Sequence, residues 1–181
     1  MQIQPPTGNN LGFLALYRAG EEVLVLPSGS VAVPKYFLEF KEWSGTPIAD
    51  TYGNKVVLDF DGEPLFAELA VLRLFQKNGW QGAWVDSYRR KFRIGLPGIV
   101  EPIDLPQKQA ELIRTLREKT GRFGGCWDVV VWKDSTMLFI ELKRQKKDSV
   151  QDTQVEWLAT ALGSGLTAAN FALAEWNLKK S

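Results

Sequence analysis

Residues 126–143 contain two apolar runs, CWDVVVW and MLFIELK, separated by the polar residues KDST. Each run has the length of a β-strand and is rich in β-branched and aromatic side chains, and a short polar separator is typical of a turn. The segment is therefore predicted to form a β-hairpin. Its three consecutive valines indicate burial on both faces, as in a strand at the centre of a sheet.

Charged side chains interrupt this apolar hairpin. Side chains alternate between faces along a strand, so Glu141 and Lys143 are expected on one face. Asp128, on the partner strand, can reach the same place. Two carboxylates can bind Mg²⁺ directly, and a lysine can orient a water molecule or offset negative charge in a transition state. The alternative is an exposed Glu–Lys pair on an ordinary strand, with Asp128 at a turn.

The other elements predict an α/β protein. Helical spacing of apolar residues predicts helices at 64–77, 106–119 and 149–162, with Pro64 and Pro106 in the first turns of the first two. We assign Ser149 and Asp152 to a capping-box pattern that opens the third helix. A strand pair is predicted within 80–94, and NFALAEW is a plausible last strand. Residues 11–60 show several short apolar runs, starting with LGFLALY and separated by turn residues, so residues 1–60 are expected to be a β-rich extension of a core at 61–181.

Two polar residues interrupt the apolar faces of predicted helices. In the third helix, Gln154 shares a stripe with Trp157 and Leu158 and is expected to point inward. In the first helix, Glu68 lies between Leu72 and Phe75 on the helical projection. A buried glutamate without a partner is costly, so a metal ion or a nearby lysine would explain its position. Each residue could also be a hydrogen-bonded core or boundary residue.

The absence of histidine excludes several classes of enzyme. The chain has 181 residues, no histidine and one cysteine. Serine and cysteine hydrolases with a histidine base, zinc deaminases and HExxH metalloproteases all need histidine, and a lone cysteine excludes a cysteine-rich zinc site. Hydrolytic chemistry would therefore depend on carboxylates, lysine and a hard metal ion. The lone cysteine, and the lack of a signal peptide or a membrane-spanning run, favour a cytoplasmic, reducing location with no membrane partner.

Residues 124–165 resemble the PD-(D/E)xK nuclease superfamily, and within it the VRR-NUC branch. The matching positions are Gly125-x-x-Asp128, Glu141-x-Lys143 and Gln154-x-x-Trp157-Leu158, followed by a glycine after the helix. Glu68 resembles the acidic residue that many members place in an early helix. Trp127 departs from the proline that the family often has before the aspartate. The resemblance covers about a quarter of the chain closely.

The resemblance implies a restriction-endonuclease-like fold, in which helices flank a mixed central sheet. It further implies hydrolysis of DNA phosphodiester bonds with Mg²⁺ or Mn²⁺, often at branched or flapped structures, and it suggests a homodimer. The catalytic residues would be Asp128, Glu141, Lys143, Gln154 and Glu68, with Asp128, Glu141 and Glu68 as the metal ligands.

The distribution of charge gives a candidate surface for DNA. Net charge is only +1, but residues 85–150 carry 14 basic and 9 acidic side chains. Within that segment, the residues expected to contact phosphates are Arg144, Lys146, Lys147, Arg89 and Arg90. Solvated loops explain such basic runs equally well.

Two other functions remain open from the sequence. The fold could be retained in a catalytically silent nucleic-acid-binding or scaffold module, which the weak overall basicity favours. A structural protein in which the Glu-x-Lys pattern arises by chance is a more remote alternative.

Overall fold

The predicted hairpin forms the middle of the sheet. In the computed structural model, which describes residues 3–8 and 10–180, its strands are β7 (Val129–Lys133) and β8 (Thr136–Arg144). They pair antiparallel around a tight turn in which Asp134 has a φ of 53°. Both strands are buried over nearly their whole length, which confirms the central position indicated by the valine run.

One mixed sheet includes every strand of the described residues. Besides β7 and β8, its strands are β1 (Arg18–Leu26), β2 (Gly29–Glu42), β3 (Leu58–Phe60), β4 (Glu63–Leu65), β5 (Gln81–Asp86), β6 (Lys91–Arg93) and β9 (Phe171–Leu178). Their order in the sheet is β4-β3-β2-β9-β8-β7-β5-β6, with β1 paired to the first half of β2. β9 runs parallel to both β8 and β2, and the other pairs are antiparallel.

Three helices cover the two faces of this sheet. They are α1 (Ala67–Gln76), α2 (Gln107–Thr120) and α3 (Asp152–Leu162). The alternation along β8 divides the core, because Leu138 and Ile140 pack with α1 whereas Phe139 packs with α2 and α3. The result is a mixed α/β fold with helices on both sides of a central sheet.

The N-terminal strands belong to the same sheet as the hairpin. β2 lies beside β9 through six residue pairs, from Lys35↔Leu173 to Phe40↔Leu178. Strands on both sides of the expected boundary at residue 60 therefore share one sheet. No helix within 3–8 and 10–180 is long and apolar enough to cross a membrane.

Three local predictions were wrong. Residues 12–17 form a 3₁₀ helix instead of a strand, with Leu14 as its only buried residue. Pro64 lies in β4, outside the first helix, because residues 63–65 pair with 58–60; β4 is an edge strand, where a missing N–H is tolerated. The capping box at α3 is formed by Gln151 and Gln154, because the helix begins at Asp152.

Candidate active site

The candidate residues meet at one end of the central hairpin. Val129 pairs with Ile140, so the next position along each strand sets Asp128 opposite Glu141. Here β7 begins, while β8 continues past it to Arg144. The sequence therefore positions the two carboxylates through strand register, which is fixed by the burial of both faces.

Asp128 closes the end of the β7–β8 ladder. Its Oδ2 atom accepts a hydrogen bond from the backbone N–H of Leu142 at 2.9 Å, on the part of β8 that β7 no longer covers. Its carbonyl accepts a hydrogen bond from the N–H of Val85 at 2.7 Å. The half-buried carboxylate is thus held in place from β8, and its backbone from β5.

Glu141, Lys143 and Gln154 form a buried polar triangle. The Lys143 Nζ lies 2.8 Å from Glu141 Oε1, and Gln154 Nε2 donates to the same oxygen at 2.5 Å. Gln154 Oε1 in turn accepts from Lys143 Nζ at 3.0 Å. Glu141 is 1% exposed and Lys143 8%. The expected inward direction of Gln154 is confirmed, as is the shared face of Glu141 and Lys143.

These contacts do not fully compensate the negative charges of Asp128 and Glu141. The second oxygen of Glu141, Oε2, is buried and has no hydrogen-bond partner. Burial, and then the charge of Asp128, raise the pKa of Glu141 well above its usual range. Burial, and then the charge of Glu68, raise the pKa of Asp128 to about 6. Three carboxylates, Asp128, Glu141 and Glu68, thus face two lysines, Lys143 and Lys55, and the excess of negative charge favours a proton or a cation at the Asp128–Glu141 pair.

The loop before Asp128 is fixed against α3. Gly125 has a φ of 90°, and a Cβ there would lie 2.5 Å from the carbonyl oxygen of Thr153. Trp127 is fully buried, packs on Phe171 with ring centroids 4.9 Å apart, and donates from Nε1 to the carbonyl of Gln154 at 3.2 Å. The Gly-x-x-Asp pattern thus reflects a close backbone approach, and Trp127 fills the place before the aspartate with an apolar ring.

Glu68 approaches from the opposite face of the sheet. It lies in the first turn of α1 and is 8% exposed. Its carboxylate forms an ion pair with Lys55, whose Nζ lies 5.2 Å from the ring centroid of Trp84. A nearby lysine, one of the two explanations offered for a buried Glu68, is therefore present. Lys55 follows an irregular segment with no periodic pattern, so no feature of the sequence predicts this contact.

A cavity opens beside Glu68. Its volume is about 300 Å³, and Leu142, whose N–H binds Asp128, contributes to its wall. The charged residues that line it are Lys55, Glu68, Arg144, Lys147 and Asp148. This cavity connects the first turn of α1 with the basic segment that follows β8.

The expected phosphate-contacting residues occupy different environments. Arg144 lies over Trp176, 5.3 Å from the ring centroid, with its Nε buried and unpartnered, whereas Lys146 and Lys147 are exposed. Arg89 is paired with Asp50 at 2.8 Å. Arg90 is exposed and lies 5.1 Å from the ring centroid of Phe123. Arg89 is therefore the member of the expected set whose charge is already compensated.

The oxygen donors of the pair suit a hard divalent cation. Asp128 and Glu141 offer carboxylate oxygens, one of them buried without a partner, and such oxygens are what Mg²⁺ and Mn²⁺ prefer. Within residues 3–8 and 10–180, no group of three or more Asp, Glu or Cys side chains is arranged to hold a metal ion. Glu68 thus lies beside the pair, bound to Lys55, without forming a three-carboxylate cluster with it.

Comparisons of the chain with protein-family models, with curated proteins and with solved structures found no match. The resemblance of residues 124–165 to the PD-(D/E)xK superfamily therefore depends on their sequence motifs alone.

Proposed function

We propose that this protein is a metal-dependent nuclease with a restriction-endonuclease-like fold. The observation that carries the proposal is the pairing of half-buried Asp128 with buried Glu141: their negative charge exceeds what Lys143 compensates, and Glu141 Oε2 has no partner. Carboxylates whose pKa values are raised by their surroundings cluster at functional sites, and this pair lies beside a lysine at one end of the sheet.

Asp128 and Glu141 would hold the metal ion. When bound, Mg²⁺ or Mn²⁺ supplies Lewis-acid polarisation of a phosphodiester and lowers the pKa of a water molecule. Lys143, fixed by Gln154 at 3.0 Å, keeps an ammonium group beside the reacting phosphate to offset developing negative charge. Gln154, from α3, is hydrogen-bonded to both Glu141 and Lys143 and keeps them together. The Glu68–Lys55 ion pair acts on the charge of Asp128 from the α1 face of the sheet.

DNA is the proposed substrate. The cavity beside Glu68 is lined by three cations, Lys55, Arg144 and Lys147, and by two carboxylates, Glu68 and Asp148, and this excess of positive charge suits a phosphate backbone. Branched or flapped DNA is the substrate class that the resemblance adds. The resemblance is also the basis for proposing a homodimer. A monomeric mass in light scattering at tens of micromolar protein would contradict the homodimer.

The decisive experiment is a cleavage assay on labelled single-stranded, duplex and flapped DNA with Mg²⁺, with Mn²⁺ and with EDTA. We expect Asp128→Asn, Glu141→Gln and Lys143→Ala each to lower the cleavage rate by about 10²-fold or more while the protein stays folded. Asp134→Asn and Lys133→Ala are matched controls at the exposed far end of the same hairpin and should cleave at the wild-type rate.

Two results would contradict the proposal. Full activity in EDTA, or wild-type rates in all three variants, would remove the metal site from the reaction. DNA binding without cleavage under any of these conditions would instead support a catalytically silent binding module.

A further inference from the structure

The ring of Phe123 lies against two guanidinium groups. Arg117 of α2 has its Cζ 3.8 Å from the centroid of this ring, and Arg90, in the β5–β6 turn, has its Cζ 5.1 Å away. Arg117 also lies 5.4 Å from the ring of Phe92. Aromatic faces attract guanidinium groups and fix their planes, so the two positive charges are held near each other in spite of their repulsion.

Neither arginine has a carboxylate partner among the described residues. Six of the nine arginines form ion pairs: Arg18, Arg73, Arg89, Arg93, Arg114 and Arg122. The other three are Arg90, Arg117 and Arg144, and none of them appears in an ion pair within 3–8 and 10–180. Arg144 lines the cavity beside Glu68. One of the three uncompensated arginines therefore lies at the cavity beside Glu68, and the other two share the ring of Phe123.

Arg117 is the most unusual of the three. It is half-buried, its Nε is buried without a hydrogen-bond partner, and burial lowers the pKa of its guanidinium. A charge withdrawn from water without an opposite charge is unfavourable, so the folded protein gains if an anion binds there. A planar guanidinium matches the oxygens of a phosphate through two parallel hydrogen bonds.

Phe123, which holds both arginines, is close to Asp128 along the chain. The ring that Arg90 and Arg117 share belongs to the segment that leads directly from α2 into Asp128. The β5–β6 turn carrying Arg90 follows the strand whose Val85 N–H binds the Asp128 carbonyl. Arg90 and Arg117 thus lie on the β5 side of the site, and Arg144 lies on the side where β8 ends.

We propose that Arg90 and Arg117, held on Phe123, form a phosphate-binding subsite for the DNA backbone next to the reacting phosphodiester. The identification of the ligand as DNA rests on the proposed nuclease function. The affinity of the subsite for phosphate is independent of that function, because it follows from two uncompensated guanidinium groups on one ring. The experiment therefore has one arm that tests phosphate binding and one that tests DNA binding.

The first arm titrates the wild-type protein with inorganic phosphate against chloride at constant ionic strength and follows the arginine Nε–H resonances by NMR. We expect saturating shifts at Arg117 and Arg90 and none at Arg114, which lies one turn earlier on α2 and is paired with Glu118. Absent shifts at Arg117, or equal shifts at Arg114, would overturn the subsite. Because this arm uses the unmodified chain, it does not depend on a variant folding.

The second arm measures anisotropy of a short fluorescent single-stranded DNA in EDTA. The Arg90→Gln/Arg117→Gln protein should bind about tenfold more weakly than wild type, with a shallower salt dependence, because two phosphate contacts are lost. Arg114→Gln/Arg122→Gln makes the same change in net charge at two exposed, paired positions and should bind nearly as wild type. If both double variants bound DNA equally weakly, the loss of affinity would follow from net charge alone, and the subsite would be refuted.

The two proposals can fail separately. If the wild-type protein neither binds DNA in EDTA nor cleaves it with Mg²⁺ or Mn²⁺, the nuclease proposal fails, and the phosphate titration alone decides the subsite. If DNA is bound and cleaved but the Arg90/Arg117 variant matches its control, the nuclease stands and the subsite is refuted.

Discussion

Asp86 and Glu141 are both 1% exposed and lie at the same end of the sheet, yet their charges are balanced very differently. Asp86 Oδ2 accepts from Arg93 Nε at 2.7 Å and from the hydroxyl of Tyr52, and its Oδ1 accepts from the N–H of Arg89 at 3.1 Å. On Glu141, the ion pair with Lys143 and the hydrogen bond from Gln154 both involve Oε1, and Oε2 has no hydrogen-bond partner.

The comparison separates a carboxylate that builds the fold from one that is available to a ligand. A buried charge with every oxygen occupied stabilises its surroundings and has no capacity left for a substrate or a metal. A buried charge with a free oxygen lowers stability and can recover that energy by binding a cation. Substitutions at the two places should therefore change stability in opposite directions.

The largest effect is expected when Asp86 loses its arginine. Arg93→Met leaves a buried carboxylate without its main partner, which should lower the free energy of unfolding by about 3–5 kcal/mol. For a chain of this length the Tm should fall by roughly 6–20 °C in calorimetry. Arg114→Met, at an exposed pair, is the matched control and should change the free energy of unfolding by less than about 1 kcal/mol. A Tm near wild type for Arg93→Met would mean that the Asp86 pair is not structural.

The opposite sign is expected at the candidate active site. Folding raises the pKa of Asp128 from its ordinary 3.8 to about 6, so the folded protein binds more protons than the unfolded chain between these values. Stability is then undiminished below about pH 4, falls as the pH rises through this window, and is lowest above about pH 6. Asp128→Asn removes the charge and should raise the free energy of unfolding by roughly 1–3 kcal/mol at pH 8.

That gain should disappear towards pH 4, because wild-type Asp128 is protonated there. Denaturant unfolding in EDTA at several pH values measures it. Asp134→Asn, in the exposed hairpin turn, should show no such pH-dependent difference. If Asp128→Asn were less stable than wild type at pH 8, the Asp128 carboxylate would stabilise the fold, as Asp86 does.

A smaller effect is expected at the loop that fixes Asp128. In Gly125→Ala, the new Cβ would meet the carbonyl oxygen of Thr153, in addition to a positive φ. Gly98→Ala is the matched control, since Gly98 has a φ of 78° and open space around its Cβ position. We expect Gly125→Ala to be less stable than Gly98→Ala by about 1–2 kcal/mol in denaturant unfolding, and equal losses would rule out the close approach.

The smallest effect is expected for a single hydrogen bond to Asp86. Tyr52→Phe removes the hydroxyl but keeps the ring that lies 3.9 Å from the Arg89 guanidinium. Because Asp86 keeps two other donors, the free energy of unfolding should fall by only about 1 kcal/mol. Tyr88→Phe, at a tyrosine that is 86% exposed, should have no measurable effect. A loss several times larger for Tyr52→Phe would mean that the network acts as one unit.

Local patterns predicted much of the site. The alternation of MLFIELK set Glu141 and Lys143 on one face, and the apolar stripe of the third helix directed Gln154 inward, because both depend only on fixed backbone periods. The errors have equally local causes. The run at residues 12–17 has an apolar composition that suits strand or helix, and Pro64 is as acceptable in an edge strand as in the first turn of a helix.

The sequence by itself determined the central hairpin, the three helices and the face on which the Glu-x-Lys pair lies, because side-chain periodicity and burial act over a few residues. Only the tertiary structure decided how charges are matched. Lys55 reaches Glu68 from an irregular segment, and Phe123 brings Arg90 and Arg117 together from a turn and a helix. Such contacts join residues that no periodic pattern relates, and their effect depends on burial, which arises only when the whole sheet is assembled.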